Sequence, residues 1–109
     1  MPKAEFIQEK ELEEVLAKDG LVVVDCTATW CGPCRALSPI VDQLAGDYEG
    51  RAQVFKLDID ENKPVATKFK VKSIPAVLIF KNGELLEHMV GIAPYEKFSK
   101  AIDKNLQET

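Results

Sequence analysis

The chain has 109 residues, 46% of them hydrophobic and 29% charged, with a net charge of −4. That length supports one hydrophobic core and not two, so residues 1–109 are read as a single domain. The composition excludes a disordered chain, and an acidic balance without any basic block argues against nucleic acid as a partner.

Taken in order, the elements alternate. Residues 4–8 read as a weak strand. Residues 9–18 read as a helix, with Leu12, Val15 and Leu16 at helical spacing, closed by Asp19-Gly20. Residues 21–28 are β-rich and apolar on both faces, the pattern of a central parallel strand. A long helix is predicted from Cys31 to about Tyr48, with Leu37, Ile40, Val41, Leu44, Ala45 and Tyr48 as its inner stripe. Pro39 lies inside it, where proline withholds an N–H from the Arg35 carbonyl and is expected to kink the helix. Residues 52–58 form the next strand and residues 62–70 a short helix. Residues 76–81 and 85–90 read as strands joined by Asn82-Gly83, a strong two-residue hairpin signal. Pro94 then opens a last helix with Tyr95, Phe98, Ile102 and Leu106 on its apolar face. The order β-α-β-α-β-α-β-β-α specifies an α/β fold: a central mixed sheet of about five strands flanked by four helices.

Residues 2–20 mix Lys3, Glu5, Glu9, Lys10, Glu11, Glu13 and Glu14 with apolar residues, which leaves no signal-peptide core. The apolar runs at residues 21–24 and 76–80 are too short to cross a bilayer, so no membrane association is expected. An odd cysteine count in a small chain argues against a secreted disulfide scaffold, and the expected location is cytoplasmic.

The chemistry-bearing motif is Trp30-Cys31-Gly32-Pro33-Cys34 at the start of the long helix. Cysteines at i and i+3 there share one turn, with side chains about 5–6 Å apart, so a disulfide can open and close with little backbone movement. Cys31 sits at the helix N-terminus, where free N–H groups and the helix dipole stabilise a thiolate. Cys34 lies one turn in, behind its own helix. This asymmetry makes Cys31 the attacking sulfur and Cys34 the resolving one. Gly32 leaves room for a bulky disulfide, and Pro33 fixes φ where its missing N–H costs nothing.

These residues resemble the active-site segment of the thioredoxin family. The likeness extends across the chain: Val24-Asp25, Ala28-Thr29 before the motif, Arg35 and Pro39 after it, residues 56–60, Val71, Ser73-Ile74-Pro75, residues 80–83 and Val90-Gly91. The resemblance implies the thioredoxin fold and a protein disulfide reductase, a redox-active electron carrier that needs no bound cofactor because the cysteines carry the electrons. It implies that Asp25 is the proton acceptor for Cys34, with Lys56 tuning that acid. It also implies a cis Pro75 facing the disulfide, and a substrate segment paired with the backbone of Ile74. Trp30, Gly32, Pro33, Ile59, Ile74, Val90, Gly91 and Ile92 would form the flat apolar docking surface. Expected partners are thioredoxin reductase and disulfide-containing client proteins, with the chain acting as a monomer. Gly32-Pro33 is the pairing of the reducing members rather than of oxidases or isomerases.

Other readings weigh less. Structural zinc normally takes four ligands, and only Cys26 and His88 remain to complete a set, so no metal is expected. Cys26 reads as a small buried hydrophobe on the strand face opposite Asp25, His88 as a solvated edge-strand residue, and Gly91 as a point of close backbone approach. A non-catalytic interaction module of the same fold would not need both cysteines, Asp25 and Ile74-Pro75 together. One departure stands out: thioredoxins commonly carry aromatics where this chain has Cys26 and Thr27.

Overall fold

The computed structural model describes residues 3–106. Its elements are β1 (Glu5–Phe6), α1 (Glu9–Leu16), β2 (Leu21–Thr27), α2 (Gly32–Asp47), β3 (Gln53–Asp58), α3 (Lys63–Lys68), β4 (Ala76–Lys81), β5 (Glu84–Val90) and α4 (Tyr95–Leu106). They form one five-stranded sheet in the order β1-β3-β2-β4-β5. β1, β3 and β2 run parallel, β4 is antiparallel to β2, and β5 is antiparallel to β4. The mixed α/β sheet with four helices is therefore as the sequence pattern implies.

Strand alternation sorts the core into two layers. On one face of β2 and β4, Leu21, Val23, Val77 and Ile79 pack with Leu37, Val41, Leu44 and Tyr48 of α2 and with Phe98 and Ile102 of α4. On the other, Val22, Val24, Cys26, Leu78 and Phe80 pack with Leu12 of α1 and Val65 of α3. Side chains on successive strand residues point to opposite sides, so neither layer could be apolar unless every β2 position were buried. That is why Leu21–Cys26 reads as an unbroken buried run. Fully burying Phe98 and Ile102 contributes roughly 1.5–3 kcal/mol each and seats α4.

Four details differ from the sequence pattern. β1 is only two residues long. Ala4 and Ile7 are buried to either side of it, in opposite core layers, while Phe6 is exposed, so a short edge contact suffices to anchor the segment. α1 ends at Leu16 rather than residue 18, its start fixed by the Gln8 N–H donating to Glu11 Oε1 at 3.1 Å. α2 contains Pro39, as expected, and runs to Asp47. Pro94 stands one residue before α4, and its carbonyl accepts the Lys97 N–H at 3.0 Å. β5 carries a bulge that sequence did not announce: Ile79 faces Glu87 but Phe80 faces Leu85. The extra residue, Leu86, flips the alternation. Leu85 thus packs with the α1/α3 layer and Met89, four residues on, with the α2/α4 layer.

The β4–β5 hairpin turns as its Asn-Gly pair implies. Asn82 and Gly83 both have positive φ, 52° and 83°, which only such residues adopt readily. Asn82 Oδ1 accepts the Gly20 N–H at 2.8 Å, tying the hairpin to the loop before β2. A Cβ on Gly83 would lie 2.6 Å from the Leu16 carbonyl oxygen, whereas one on Gly50, at a similar φ of 85°, would meet open space. Gly83→Ala is therefore expected to lower unfolding free energy by about 2 kcal/mol and Gly50→Ala by about 1 kcal/mol in urea titrations. Equal losses would mean that the approach to Leu16 is inconsequential.

Candidate functional site

Cys31 is the N-cap of α2, in extended conformation at φ −94° and ψ 107°, with Pro33 in the first turn. Its Sγ accepts the Cys34 N–H at 3.2 Å. Cys31 and Cys34 form a disulfide with their Cα atoms 5.3 Å apart, well inside the range a disulfide needs. The helix N-terminus thus aims a backbone donor at the sulfur expected to attack, a position that favours thiolate over thiol. Exposure does not separate the two cysteines in this closed state, since they are 4% and 2% exposed. What distinguishes them is place in the helix: cap against first turn.

Ala28, Ile59 and Ile74 pack around the pair. The Ile74–Pro75 peptide bond is cis. The Pro75 carbonyl accepts the Gly91 N–H at 2.8 Å, which brings the end of β5 to the same loop. Gly91 has φ 95°, and a Cβ there would meet nothing within 4 Å. Its glycine therefore answers to backbone conformation, not to the crowding expected from sequence. Trp30, Val90 and Ile92 are 66%, 57% and 56% exposed. Gly32 and Pro33 are exposed between the cysteines. The Trp30 indole N–H donates to Asp60 Oδ2 at 2.7 Å, which fixes that ring beside Cys31. Nothing local in the sequence marks Asp60 for this task, because the contact joins residues 30 apart.

Beneath the pair lies the acid. Asp25 takes the β2 face that packs on α2, since it shares parity with Leu21 and Val23. It is 1% exposed, and its Oδ1 has no hydrogen-bond partner. Burial pushes its pKa up from 3.8 to about 7; the nearby Lys56 charge opposes that rise and Asp42 adds to it. Asp25 and Cys34 line a common cavity of about 280 Å³, together with Thr27, Ser38, Lys56 and Asp58. Thr27 occupies the position where the family commonly carries an aromatic, and a larger side chain there would take up part of this space.

Lys56 pairs with Asp25 in the β2–β3 register, yet its ammonium does not sit on that carboxylate. It donates to Ser38 Oγ at 2.6 Å and forms an ion pair with Asp42 Oδ1 at 2.9 Å. Sequence reading missed Ser38 and Asp42. The signal was present, because Cys34, Ser38 and Asp42 recur every four residues and so make a polar line down one side of α2.

Neither Cys26 nor His88 belongs to this cluster. Cys26 is buried in the α1/α3 layer with its pKa pushed up to about 12, first by burial and then by the Asp25 charge. His88 is exposed on the edge strand β5. Among the described residues no group of three or more His, Cys, Asp or Glu side chains is placed to hold a metal ion, and no helix is long and apolar enough to cross a membrane. A larger cavity of about 430 Å³ between α1, α3 and Gly83 has no cysteine, serine, threonine or histidine in its lining.

With this geometry in place, the likeness to known proteins is informative. The family model for thioredoxin matches residues 3–104. A thioredoxin of Staphylococcus haemolyticus is 47% identical over 89 residues, which is 82% of this chain and 86% of the relative. Staphylococcus aureus thioredoxin is 45% identical over the same shares. The solved structure of a mutant thioredoxin from Halobacterium salinarum NRC-1 superimposes with a TM-score of 0.86 at 30% identity, covering 99% of this chain and 94% of that one. The chain belongs to the thioredoxin family and is a protein disulfide reductase acting through the Cys31–Cys34 pair.

Proposed function

We propose that this reductase works as follows, the carrying observation being a buried, unpartnered Asp25 carboxylate sharing a cavity with Cys34 directly below a disulfide at a helix N-terminus. In the reduced protein the Cys31 thiolate attacks one sulfur of a client disulfide. A Cys31–client disulfide forms, and the first client sulfur leaves as a thiolate that takes up a proton. Cys34 then gives its proton to Asp25, and its thiolate attacks Cys31 Sγ. The Cys31–Cys34 disulfide closes and the second client sulfur departs, protonated in turn. The client gains two electrons and two protons; the pair supplies both electrons and the Cys34 proton, and the other proton comes from solvent, where Cys31 released its own on becoming a thiolate. An acid with pKa near 7 can both take that proton and return it at neutral pH.

Client docking is assigned to Trp30, Gly32, Pro33, Ile59, Ile74, Pro75, Val90, Gly91 and Ile92. Three large apolar side chains exposed around a buried disulfide make a surface suited to an extended apolar segment, and the Ile74 backbone beside Pro75 is the place for strand-like pairing. Lys56 is assigned to tuning Asp25. Thioredoxin reductase recharges the pair, and the protein works as a monomer in the cytoplasm, where glutathione and reductases keep such a couple reduced.

Dithiothreitol-driven reduction of insulin tests the exchange step. Cys31→Ser is expected to abolish it, and Cys34→Ser to trap clients as mixed disulfides on Cys31. Full activity in Cys31→Ser would sink the assignment. Asp25→Asn separates the acid from the sulfurs. It is expected to slow turnover and remove the pH dependence near 7. It also bears on stability, because the folded chain holds the Asp25 proton more tightly than the unfolded chain does. The stability that this confers is fully present below about pH 4 and is lost as pH rises through about 7. Asp25→Asn is therefore expected to raise unfolding free energy at pH 8 by about 2–4 kcal/mol, with little change at pH 4. Thermal and urea unfolding at the two pH values read this directly, and an equal effect at both would contradict the buried-acid account.

A further inference from the structure

We infer that Asp42, with Ser38, is a positioning residue: together they hold the Lys56 ammonium on α2, off the unpartnered Asp25 carboxylate, and so govern how readily Asp25 keeps its proton. The inference rests on the reading of Asp25 as the proton acceptor and names what regulates it.

The observation is a missing ion pair. Asp25 and Lys56 are register partners on adjacent strands, and both face α2. A lysine beside a buried carboxylate would ordinarily close on it, because both charges are costly away from water. Here two of the three ammonium donors are engaged elsewhere, by Ser38 Oγ at 2.6 Å and Asp42 Oδ1 at 2.9 Å. Asp42 is held in turn: the same Oδ1 accepts the Ala4 N–H at 3.0 Å. The pair is largely enclosed, with side-chain exposures of 10% and 23%, so solvent screens it little. Asp42 therefore acts on Asp25 in two ways that share a sign. It draws the cation off, and it partly cancels that cation's field with its own negative charge.

The charged and titratable groups around Asp25 are few. β3 supplies Lys56 and Asp58; α2 supplies Cys34, Arg35 and Asp42; β4 presents Val77, which carries no charge. Cys26 follows on the same strand but belongs to the other core layer. In the oxidised protein Cys34 does not titrate, which leaves Lys56 and Asp42 as the pair whose balance is adjustable from α2.

The test is a carbon-detected NMR titration of the Asp25 carboxyl in the oxidised protein. Asp42→Asn keeps an oxygen acceptor for Ala4 but removes the charge. It is expected to move the Asp25 midpoint down by about one pH unit, as an unopposed cation does to a nearby acid. Lys56→Met is expected to move it up. In the Lys56→Met background, Asp42→Asn is expected to produce less than half its original shift, since the cation it controls is gone. Asp42→Glu should restore the wild-type midpoint, and Ser38→Ala, which removes one ammonium partner without touching any charge, should give a smaller downward shift. An unmoved midpoint in Asp42→Asn, or a full-sized shift in the Lys56→Met background, overturns the inference. The readout is independent of catalysis. If the carboxyl midpoint moves while the pH profile of insulin reduction does not, the base reading of Asp25 fails and the positioning role of Asp42 stands.

Discussion

The structure depends on what β2 does with one charged residue. As the central strand, it must bury both faces, and its two-residue period leaves no freedom over which face a given side chain takes. Asp25 falls on the α2 side. Desolvation makes it reluctant to ionise, and the helix that covers it is the one that begins with the redox pair. The parallel register with β3 puts Lys56 on that side too. The cysteine pair, the acid and the cation are thus collected from three elements, and strand parity sets the face that the acid and the cation take. Shifting β2 by a single residue would exchange Asp25 with Cys26 and dismantle the site while leaving the sheet intact.

The surface around the exposed Trp30, Val90 and Ile92 is built differently, from strand ends and turns. The loop entering β4 carries the cis Ile74–Pro75 bond, and the residue leaving β5 returns to it through the Gly91 N–H. β4 and β5 are joined at their far end by Asn82-Gly83, so this closure staples the hairpin at both ends. Asp60, on the turn after β3, adds a third support through the Trp30 indole. The loops around the cysteine pair are therefore each tied to a strand.

Most of this fold was legible in the sequence because it is written in periods: two along the strands, between three and four along the helices, and a two-residue turn that demands positive φ. The cysteine pair was legible because its spacing fits one helical turn. What was not legible depends on contacts distant in sequence. The Leu86 bulge is a property of pairing, not of its own residue type. Lys56 was assigned to Asp25 by the family resemblance, but its hydrogen bonds are decided by Ser38 and Asp42 on another element. Gly91 was read as a point of close approach and proved to be a matter of φ. The expected difference in exposure between the two cysteines is absent in the closed pair, where a shared bond and a shared shell of Ala28, Ile59 and Ile74 cover both.

The third sulfur shows what the same parity rule protects. Cys26 follows the acid directly in the chain, yet the sheet stands between its thiol and the redox pair, and burial keeps that thiol protonated far above neutral pH. It is therefore silent in exchange. The chain has three cysteine sulfurs, of which the structure pairs two, Cys31 with Cys34, and leaves the third free and buried. A carrier that cycles continually between dithiol and disulfide gains from this a closed inventory: each turn returns the same bond, with no scrambled isomer to repair.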